Sequence, residues 1–523
     1  MTSATGAPAA PARASRLGRG LLALLIALAT IATFLPALSN GFVGWDDTMS
    51  LVDNPHYRGL GWAQLKWMFT TFHMGLYMPL SWLTLGLDSL VWGINPLGYH
   101  LTSVLLHAAT AIAFYFLGLR LLQLALPSAA ERDLRLGAVA AALFWAVHPL
   151  RVESVAWASE RRDVLSGLFY VSAVIAYLEA AAAGGRRPGR WYWASVGLFV
   201  GALLSKSITV TLPVALLVLD VYPLRRLGPG RWLDRRVCLE KLPFLALAAT
   251  AAVLAFVANS HIGNRASWQE LGFLPRLVLT AHGLAFYMLK TLLPLNLSPF
   301  YPLDLHVTWM HFGFVIGATV LAVMLARPWP AFTAVWIVYV ATLLPVLGFF
   351  QNGPQAAADR YTYLGSMGWS LLAGAAVAWR WAGSSVLRAL LVLWLCGLAW
   401  LSWQQTEVWR DSITLWTQAV RVNSQSRAAH FNLAAAYEHA GHYAEALAEY
   451  EEVRRLSPRQ PRWYVPIGRM YERVGAEQTA LAMYARALAG DPGLPEACEA
   501  ARRLADRLKV SPPELATCPT RRS

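Results

Sequence analysis

Residues 21–50, LLALLIALATIATFLPALSNGFVGWDDTMS, hold an apolar run from Leu21 to Leu38, followed closely by two adjacent aspartates, Asp46 and Asp47, with Phe42 and Trp45 beside them. A run of about 18 apolar residues spans hydrocarbon when modest tilt is allowed. Arg13, Arg16 and Arg19 precede it, which places the N-terminus on the cytoplasmic side and brings the aspartates out on the external one. Many further apolar runs follow, so this is read as a retained first helix and not as a cleaved signal peptide. The fold and the chemistry both follow from this pairing of a membrane span with two carboxylates at its outer end.

The rest of the chain agrees. Of 523 residues, 56% are hydrophobic and only 14% charged, too little polar surface for a soluble multidomain protein. Apolar runs recur near 20–38, 99–122, 134–150, 164–182, 192–206, 207–222, 242–259, 310–326, 330–349, 365–380 and 386–403. These imply about eleven crossings, with the C-terminus outside. A further run, Leu274 to Leu295, would break that parity; with Arg276, His282 and Lys290 in it, it reads as re-entrant or interfacial. The aromatic-rich stretch 39–98 is external, and its second half is expected to lie along the membrane surface.

A net charge of +14 raises the question of nucleic acid, but the arginines sit in short connectors: Arg186, Arg187 and Arg190; Arg225, Arg226, Arg231, Arg235, Arg236 and Lys241; Arg380 and Arg388. That pattern reports topology, and no nucleic-acid partner is expected. Arginine in excess over lysine points to a G+C-rich genome and a bacterial inner membrane.

After Trp403 the composition turns charged and alanine-rich. Leu433, Tyr437, Ala446, Tyr450 and Pro458 return 34 residues later as Ile467, Tyr471, Ala480, Tyr484 and Pro492, the period of tetratricopeptide repeats. Trp416, Ala419 and Ser424 mark the second helix of an earlier repeat, and a helix over 495–508 caps the stack. The expected organisation is a cytoplasmic tail (1–19), a transmembrane catalytic domain (20–404), a repeat domain (405–508) and a C-terminal tail (509–523). Cys498 and Cys518 could pair if that end faces the periplasm, or could stay as two free thiols.

Ionisable groups beside hydrocarbon need a partner, water or a function. Asp46 and Asp47 are close enough to raise one another's proton affinity, which suits a general base; the alternative is a solvated loop start or helix cap. In HPLRVESVAWASERRDVLSG, residues 148–167, His148, Arg151, Glu153, Glu160, Arg161, Arg162 and Asp163 crowd one external junction. Arginines there suit a phosphate, or close the loop as an internally neutralised cluster. Lys206 and the pair Asp359 and Arg360 fall on the same face. His100 and His107 share a helix face without the partners of a metal site. No phosphate-binding loop, dinucleotide fingerprint or serine elbow occurs.

The set GWDDTMSLVDNP, INPLGYHLTSVLLHA, HPLRVESVAWASERRDVLS, LLSKSITVTLP, NLSPFYPLD and DRYTYLGSMG, with the C-terminal repeats, resembles the transmembrane and tetratricopeptide-repeat-containing O-mannosyltransferases and their bacterial relatives. The resemblance covers nearly the whole chain in order. It implies an all-α, polytopic GT-C glycosyltransferase with a short repeat solenoid, using a polyprenyl-phosphate sugar donor. By motif it assigns Asp46 and Asp47 as catalytic, with Asp46 favoured as base, and His148, Glu153, Arg162, Asp163, Lys206 and Arg360 to the donor site; Arg161 joins the phosphate-binding set on its charge. The expected partners are the lipid-linked donor, membrane lipid and a periplasmic protein or glycan acceptor, which the repeats could present. No cofactor is called for, although a divalent metal at Asp46 and Asp47 is left open. Two rival classes stand beside this reading: a non-catalytic membrane-anchored repeat scaffold, and a carrier of polyprenyl-linked sugar. Neither needs a proton acceptor after the first span.

Overall fold

The computed structural model describes residues 10–184, 188–260, 272–303, 309–350, 353, 355–381 and 384–518. Arg186 and Arg187, residues 1–9 of the N-terminal tail, 304–308 of the loop that follows 295, and 519–523 lie outside the described residues. The chain forms two compact units, Met1–Leu297 with Leu303–Arg410, and Ser298–Pro302 with Asp411–Ser523. Among the described residues the extended pieces are only Tyr301–Pro302 and Gln355–Ala357, so the fold is all-α.

In the first unit the helices are α1 (Ala10–Thr33), α2 (Trp62–Thr70), α3 (Pro79–Trp92), α4 (Pro96–Ala125), α5 (Glu131–Ala146), α6 (Val152–Ala156), α7 (Arg161–Ala183), α8 (Arg190–Ser205) and α9 (Leu212–Val221). They continue as α10 (Arg235–Leu239), α11 (Leu242–Ser260), α12 (Phe273–Leu292), α13 (Trp309–Met324), α14 (Pro330–Leu343), α15 (Thr362–Gly365), α16 (Met367–Ala376) and α17 (Ser385–Val408). A helix falls on each of the eleven apolar runs, and the protein is a polytopic membrane protein. Four stretches, Pro96–Ala125, Ala158–Ala183, Arg235–Ser260 and Ser385–Val408, are each long and apolar enough to cross a bilayer alone. Others are shortened by identifiable residues. Pro149 cannot continue α5, and the chain bends by 56° between Glu131–Ala146 and Pro149–Ala156. Pro213 sits in the first turn of α9, so the run 207–222 becomes a 3₁₀ turn, Ser207–Thr211, followed by a short helix.

Burial separates core from periphery. The apolar windows of α4 and α7 are mostly buried, whereas α11 and α17 present Val253, Phe256, Leu393 and Trp400 outward. Those faces suit hydrocarbon. Where α5 crosses α16, Gly137 and Gly374 meet: a Cβ on either would overlap the other's backbone, so glycine permits the close approach.

Most of the run 274–295 forms one uninterrupted helix, α12 (Phe273–Leu292), and not a re-entrant dip. Residues along it meet one end of the bundle throughout. Arg276 donates to the carbonyl of Phe349 at 2.8 Å, the Tyr287 hydroxyl accepts from the N–H of Ala358 at 3.1 Å, and the carbonyl of Thr291 meets His148 at 3.1 Å. Phe349 and His148 lie just past the C-terminal ends of α14 and α5. α12 is therefore tied near both of its termini to the segments that follow α14 and α5.

The second unit is α18 (Ser412–Val422), α19 (Arg427–His439), α20 (Tyr443–Leu456), α21 (Tyr464–Arg473), α22 (Glu477–Gly490) and α23 (Pro495–Leu508). Asp411 opens it with a capping box to Thr414. Gly468 is small for a packing reason, because a Cβ there would run into the ring of Tyr484, and Ala434 is buried in a cluster with Tyr450. A polar ladder follows the same 34-residue period. Tyr450 and Arg469 both donate to Glu438, at 2.9 and 2.7 Å, and Tyr484 and Arg503 repeat this on Glu472 at 2.6 and 2.9 Å. Each Glu on the first helix of a repeat thus clasps its own second helix and the helix that follows. Cys498 and Cys518 form a disulfide that ties the segment after α23 back onto it.

Closing a loop with a sequence separation of 20 by a disulfide contributes about 3 kcal/mol in the chain-entropy account. Cys498→Ser is expected to expose residues 509–518 to proteolysis and lower the melting temperature of the repeat unit by several degrees. Limited digestion with and without reductant checks it, and equal protection would rule the constraint out.

Candidate active site

The site forms where α7 begins, α8 ends and the segment 355–361 passes over them. Glu160 closes a 3₁₀ turn, Ala158–Glu160, immediately before α7, and its side chain has no exposure. Three cations converge on it. Arg162 donates through Nε at 2.9 Å, Lys206 Nζ lies at 3.1 Å and Arg360 Nε at 3.1 Å. Each cation has its position set by a different element: the first turn of α7, the C-cap of α8, and the 3₁₀ turn Asp359–Tyr361. Lys206 is also paired with Asp163 at 2.6 Å, whose other oxygen accepts from Ser154 at 3.0 Å. Arg360 is ion-paired with Glu153, which accepts in addition from the Arg360 N–H at 2.9 Å.

Aromatic rings wall the cluster. The Arg360 guanidinium stacks at 5.3 Å over Trp157 and 5.0 Å over Tyr361. Trp157 lies between Trp45 and Trp409, at 5.2 and 5.4 Å between ring centres. Trp45, next to the aspartates in sequence, thereby fixes the first loop against the second motif.

The two aspartates do different things. Asp47 is fully buried, and its carboxylate oxygens accept backbone N–H bonds from Val43 at 3.0 Å and Ser159 at 2.9 Å. Burial pushes its carboxyl up to about 7, against the pull of those donors. It is a latch between the first loop and the turn carrying Glu160. Asp46 is only partly covered. Burial raises its proton affinity, Arg162 and Arg360 lower it, and Glu160 raises it again. Asp46 is therefore the member of the pair within the field of the cation cluster and open to a ligand. Each Asp47 oxygen thus meets one backbone N–H, and among the described residues no three His, Cys, Asp or Glu side chains are grouped to hold a metal.

Of the expected donor residues, the structure brings together Glu153, Arg162, Asp163, Lys206 and Arg360. It does not bring in Arg161 or His148. Arg161 is wholly buried on α7, paired with Asp88 at 2.7 Å and bonded to Ser103 and the carbonyl of Tyr99 at 2.9 and 2.6 Å. Successive residues at the start of a helix diverge by about 100°, and here Arg161 turns to Asp88 while Arg162 turns to Glu160. His148 bridges the α5–α6 corner to α12, through Leu150 N–H at 3.2 Å and the Thr291 carbonyl at 3.1 Å. His107 likewise spans Tyr363 and the carbonyl of Ala146, both at 2.9 Å, and is structural. Glu160 was read from sequence as one member of the charged junction, but its role as the hub was not, nor were Trp157 as the wall and Asp88 as the partner of Arg161.

A tetratricopeptide-repeat family model matches residues 396–461 and 439–495, and the C-terminal helices carry these repeats. Human protein O-mannosyl-transferase TMTC1 is 25% identical over 488 residues, covering 81% of this chain and 54% of the relative. Similarity to the protein O-mannosyl-transferases thus runs along most of the chain. TMTC3 from Mus musculus is 24% identical over 505 residues, covering 86% of this chain and 52% of the relative. Human TMTC2 is 30% identical over 198 residues, 37% of this chain and 22% of that protein. The chain spans about half the length of the relatives that match it most fully. Among solved structures, ArnT from Cupriavidus metallidurans, bound to undecaprenyl phosphate, aligns with a TM-score of 0.37 at 15% identity over 89% of this chain and 80% of that one, a likeness too loose to decide anything.

Asp47→Asn leaves one buried backbone N–H facing an amide NH₂, and should cost about 1–3 kcal/mol. Asp46→Asn should leave stability within about 0.5 kcal/mol, as expected of a partly exposed group. Glu160→Gln, which strips a buried hub from three cations, should cost about 3–5 kcal/mol. Thermal unfolding of the three purified variants in one detergent measures this order; an equal loss for both aspartates would contradict the division of roles.

Proposed function

We propose that the protein is a membrane glycosyltransferase that moves a sugar from a polyprenyl-phosphate donor to a hydroxyl acceptor on the external face, the periplasmic face in a bacterium. The observation that carries the reading is Asp46, a partly open carboxylate of raised proton affinity, set beside a cluster of cations fixed by buried carboxylates at one end of a membrane helical bundle. A donor held in lipid by its prenyl chain presents its phosphate at this level. The relatives are named for O-mannosyl transfer, so mannose is the sugar proposed.

In the reaction the acceptor oxygen attacks the anomeric carbon and forms the new glycosidic bond. The bond from that carbon to the phosphate oxygen breaks, and the electron pair leaves with the polyprenyl phosphate. Asp46 takes the hydroxyl proton. Arg162, Lys206 and Arg360 face the charge that grows on the leaving phosphate, and their fixed positions require no reorganisation as it develops. A single displacement inverts the anomeric configuration. Glu153 and Asp163 hold the cations rather than react. The repeats are proposed to hold a protein or glycan acceptor, and the Cys498–Cys518 disulfide supports an oxidising compartment on their side.

The test is transfer of radiolabelled mannose from polyprenyl-phosphate mannose by the full-length protein in lipid nanodiscs. Asp46→Asn should lose about 10²–10⁴-fold of the rate while melting like wild type. Because Asp46 works as the carboxylate, the wild-type rate should fall as pH drops through a pKa above the ordinary carboxylate value of about 4, and Asp46→Asn should lose that limb. Transfer at wild-type rate by Asp46→Asn would remove the base, and donor binding without transfer would return the carrier and scaffold readings.

A further inference from the structure

A second basic site lies at the opposite ends of the helices that carry the first. α7 runs from Arg161 to Ala183, 23 residues and so about 34 Å, and α8 returns from Arg190 to Ser205. Between the far end of α7, the start of α8 and α10 is a cavity of about 820 Å³. Its charged lining residues are Arg190, Arg226, Arg235, Arg236 and Glu240, four cations against one carboxylate. Asp234, next along the chain, caps α10 by accepting from the N–H groups of Arg236 and Val237 at 3.0 and 3.1 Å.

A buried network makes this a built site and not a loose basic loop. Asp220 has no exposure and accepts from Tyr177 at 2.7 Å, Arg226 at 3.1 Å and Lys241 at 2.5 Å. Arg226 is also paired with Glu240, which meets Arg236 at 3.2 Å. Tyr177, Arg226 and Glu240 thus form a rigid back wall, while Arg190 and Arg235 stand exposed at the mouth, Arg190 over the ring of Trp191 at 5.4 Å. The floor is small, Ala180, Ala181 and Ala183. Apolar groups stand open around it: Trp191 and Leu239 in the lining, Trp193 one turn from the mouth, and Trp232 and Leu233 just before α10. Exposed tryptophans at the ends of apolar helices mark headgroup depth.

We propose that this cavity binds the headgroup of an anionic phospholipid from the leaflet opposite the candidate active site. The phosphodiester sits between Arg190 and Arg235 with Arg226 behind it, and the glycerol and first acyl carbons lie on Trp191 and Leu239. Arginine forks supply paired donors to phosphate oxygens. A zwitterionic headgroup brings its own cation into a cavity already carrying excess positive charge, so it should bind less well. The site neither uses nor requires the sugar-transfer reading.

The test is native mass spectrometry of the full-length protein in detergent, titrated separately with phosphatidylglycerol, phosphatidylcholine and inorganic phosphate. Wild type should retain one phosphatidylglycerol with saturation, and phosphatidylcholine only weakly. Arg190→Gln with Arg235→Gln, both at exposed positions, should weaken retention about tenfold or more, since each basic side chain near a headgroup contributes roughly tenfold or less. Arg388→Gln, a cation at the start of α17 outside the cavity, should bind as wild type does. If the double variant melts early, Arg235→Glu alone is the second variant, and should also weaken retention. Equal retention by the cavity variants and Arg388→Gln, or equal retention of both lipids, overturns the proposal. Inorganic phosphate displacing phosphatidylglycerol at comparable concentration assigns the cavity to free phosphate and overturns the lipid reading.

Discussion

A carboxylate without exposure cannot stay ionised unless cations meet it, and three cations cannot sit together unless a carboxylate holds them. Glu160 resolves both requirements at once. Because its partners come from α7, α8 and the segment before α15, satisfying one buried charge fixes three separate parts of the chain. The result is an array of positive groups whose positions are set before any ligand arrives. Glu153 and Asp163 extend the same logic outward, each keeping one cation from drifting. The arrangement costs desolvation that an apolar contact would not, which is expected where geometry is kept for chemistry.

The aspartate pair shows how adjacent identical residues diverge. Asp47 folds inward to take two backbone donors, one from its own loop and one from the turn that ends in Glu160. That bond carries the first loop to the cation array and leaves Asp46 next to it. Trp45 adds a second fastening by stacking on Trp157, itself stacked on Trp409 at the end of α17. Residues separated by hundreds of positions are thereby held together around one open carboxylate.

Sequence made some of this legible and hid the rest for physical reasons. Apolar runs located helical stretches because hydrocarbon leaves a compositional trace, but the helix ends moved where Pro149 bars continuation of α5 and where Pro213 opens α9 after a 3₁₀ turn. The repeats were legible through Ala434 and Gly468, the second of which packs against the ring of Tyr484, while the Glu438 and Glu472 ladder was not, since hydrogen bonding between repeats leaves no apolar signature. In the site, charge type and membrane face pointed to Arg162, Lys206 and Arg360. Helix phase, which turns Arg161 toward Asp88 and away from its neighbour, and the hub role of Glu160 depend on three-dimensional convergence that a linear reading cannot supply.

The central claim is that cations fixed by buried carboxylates receive the phosphate of a lipid-linked sugar. The most direct measurement is the affinity of full-length protein in nanodiscs for polyprenyl monophosphate, the product of the proposed transfer, in wild type and in Lys206→Met. The account predicts saturable binding that weakens about tenfold or more in the variant, as expected from losing one charge-assisted contact, while Arg388→Gln binds like wild type. Equal affinity for all three proteins would contradict it, and would leave the cluster as a structural clasp.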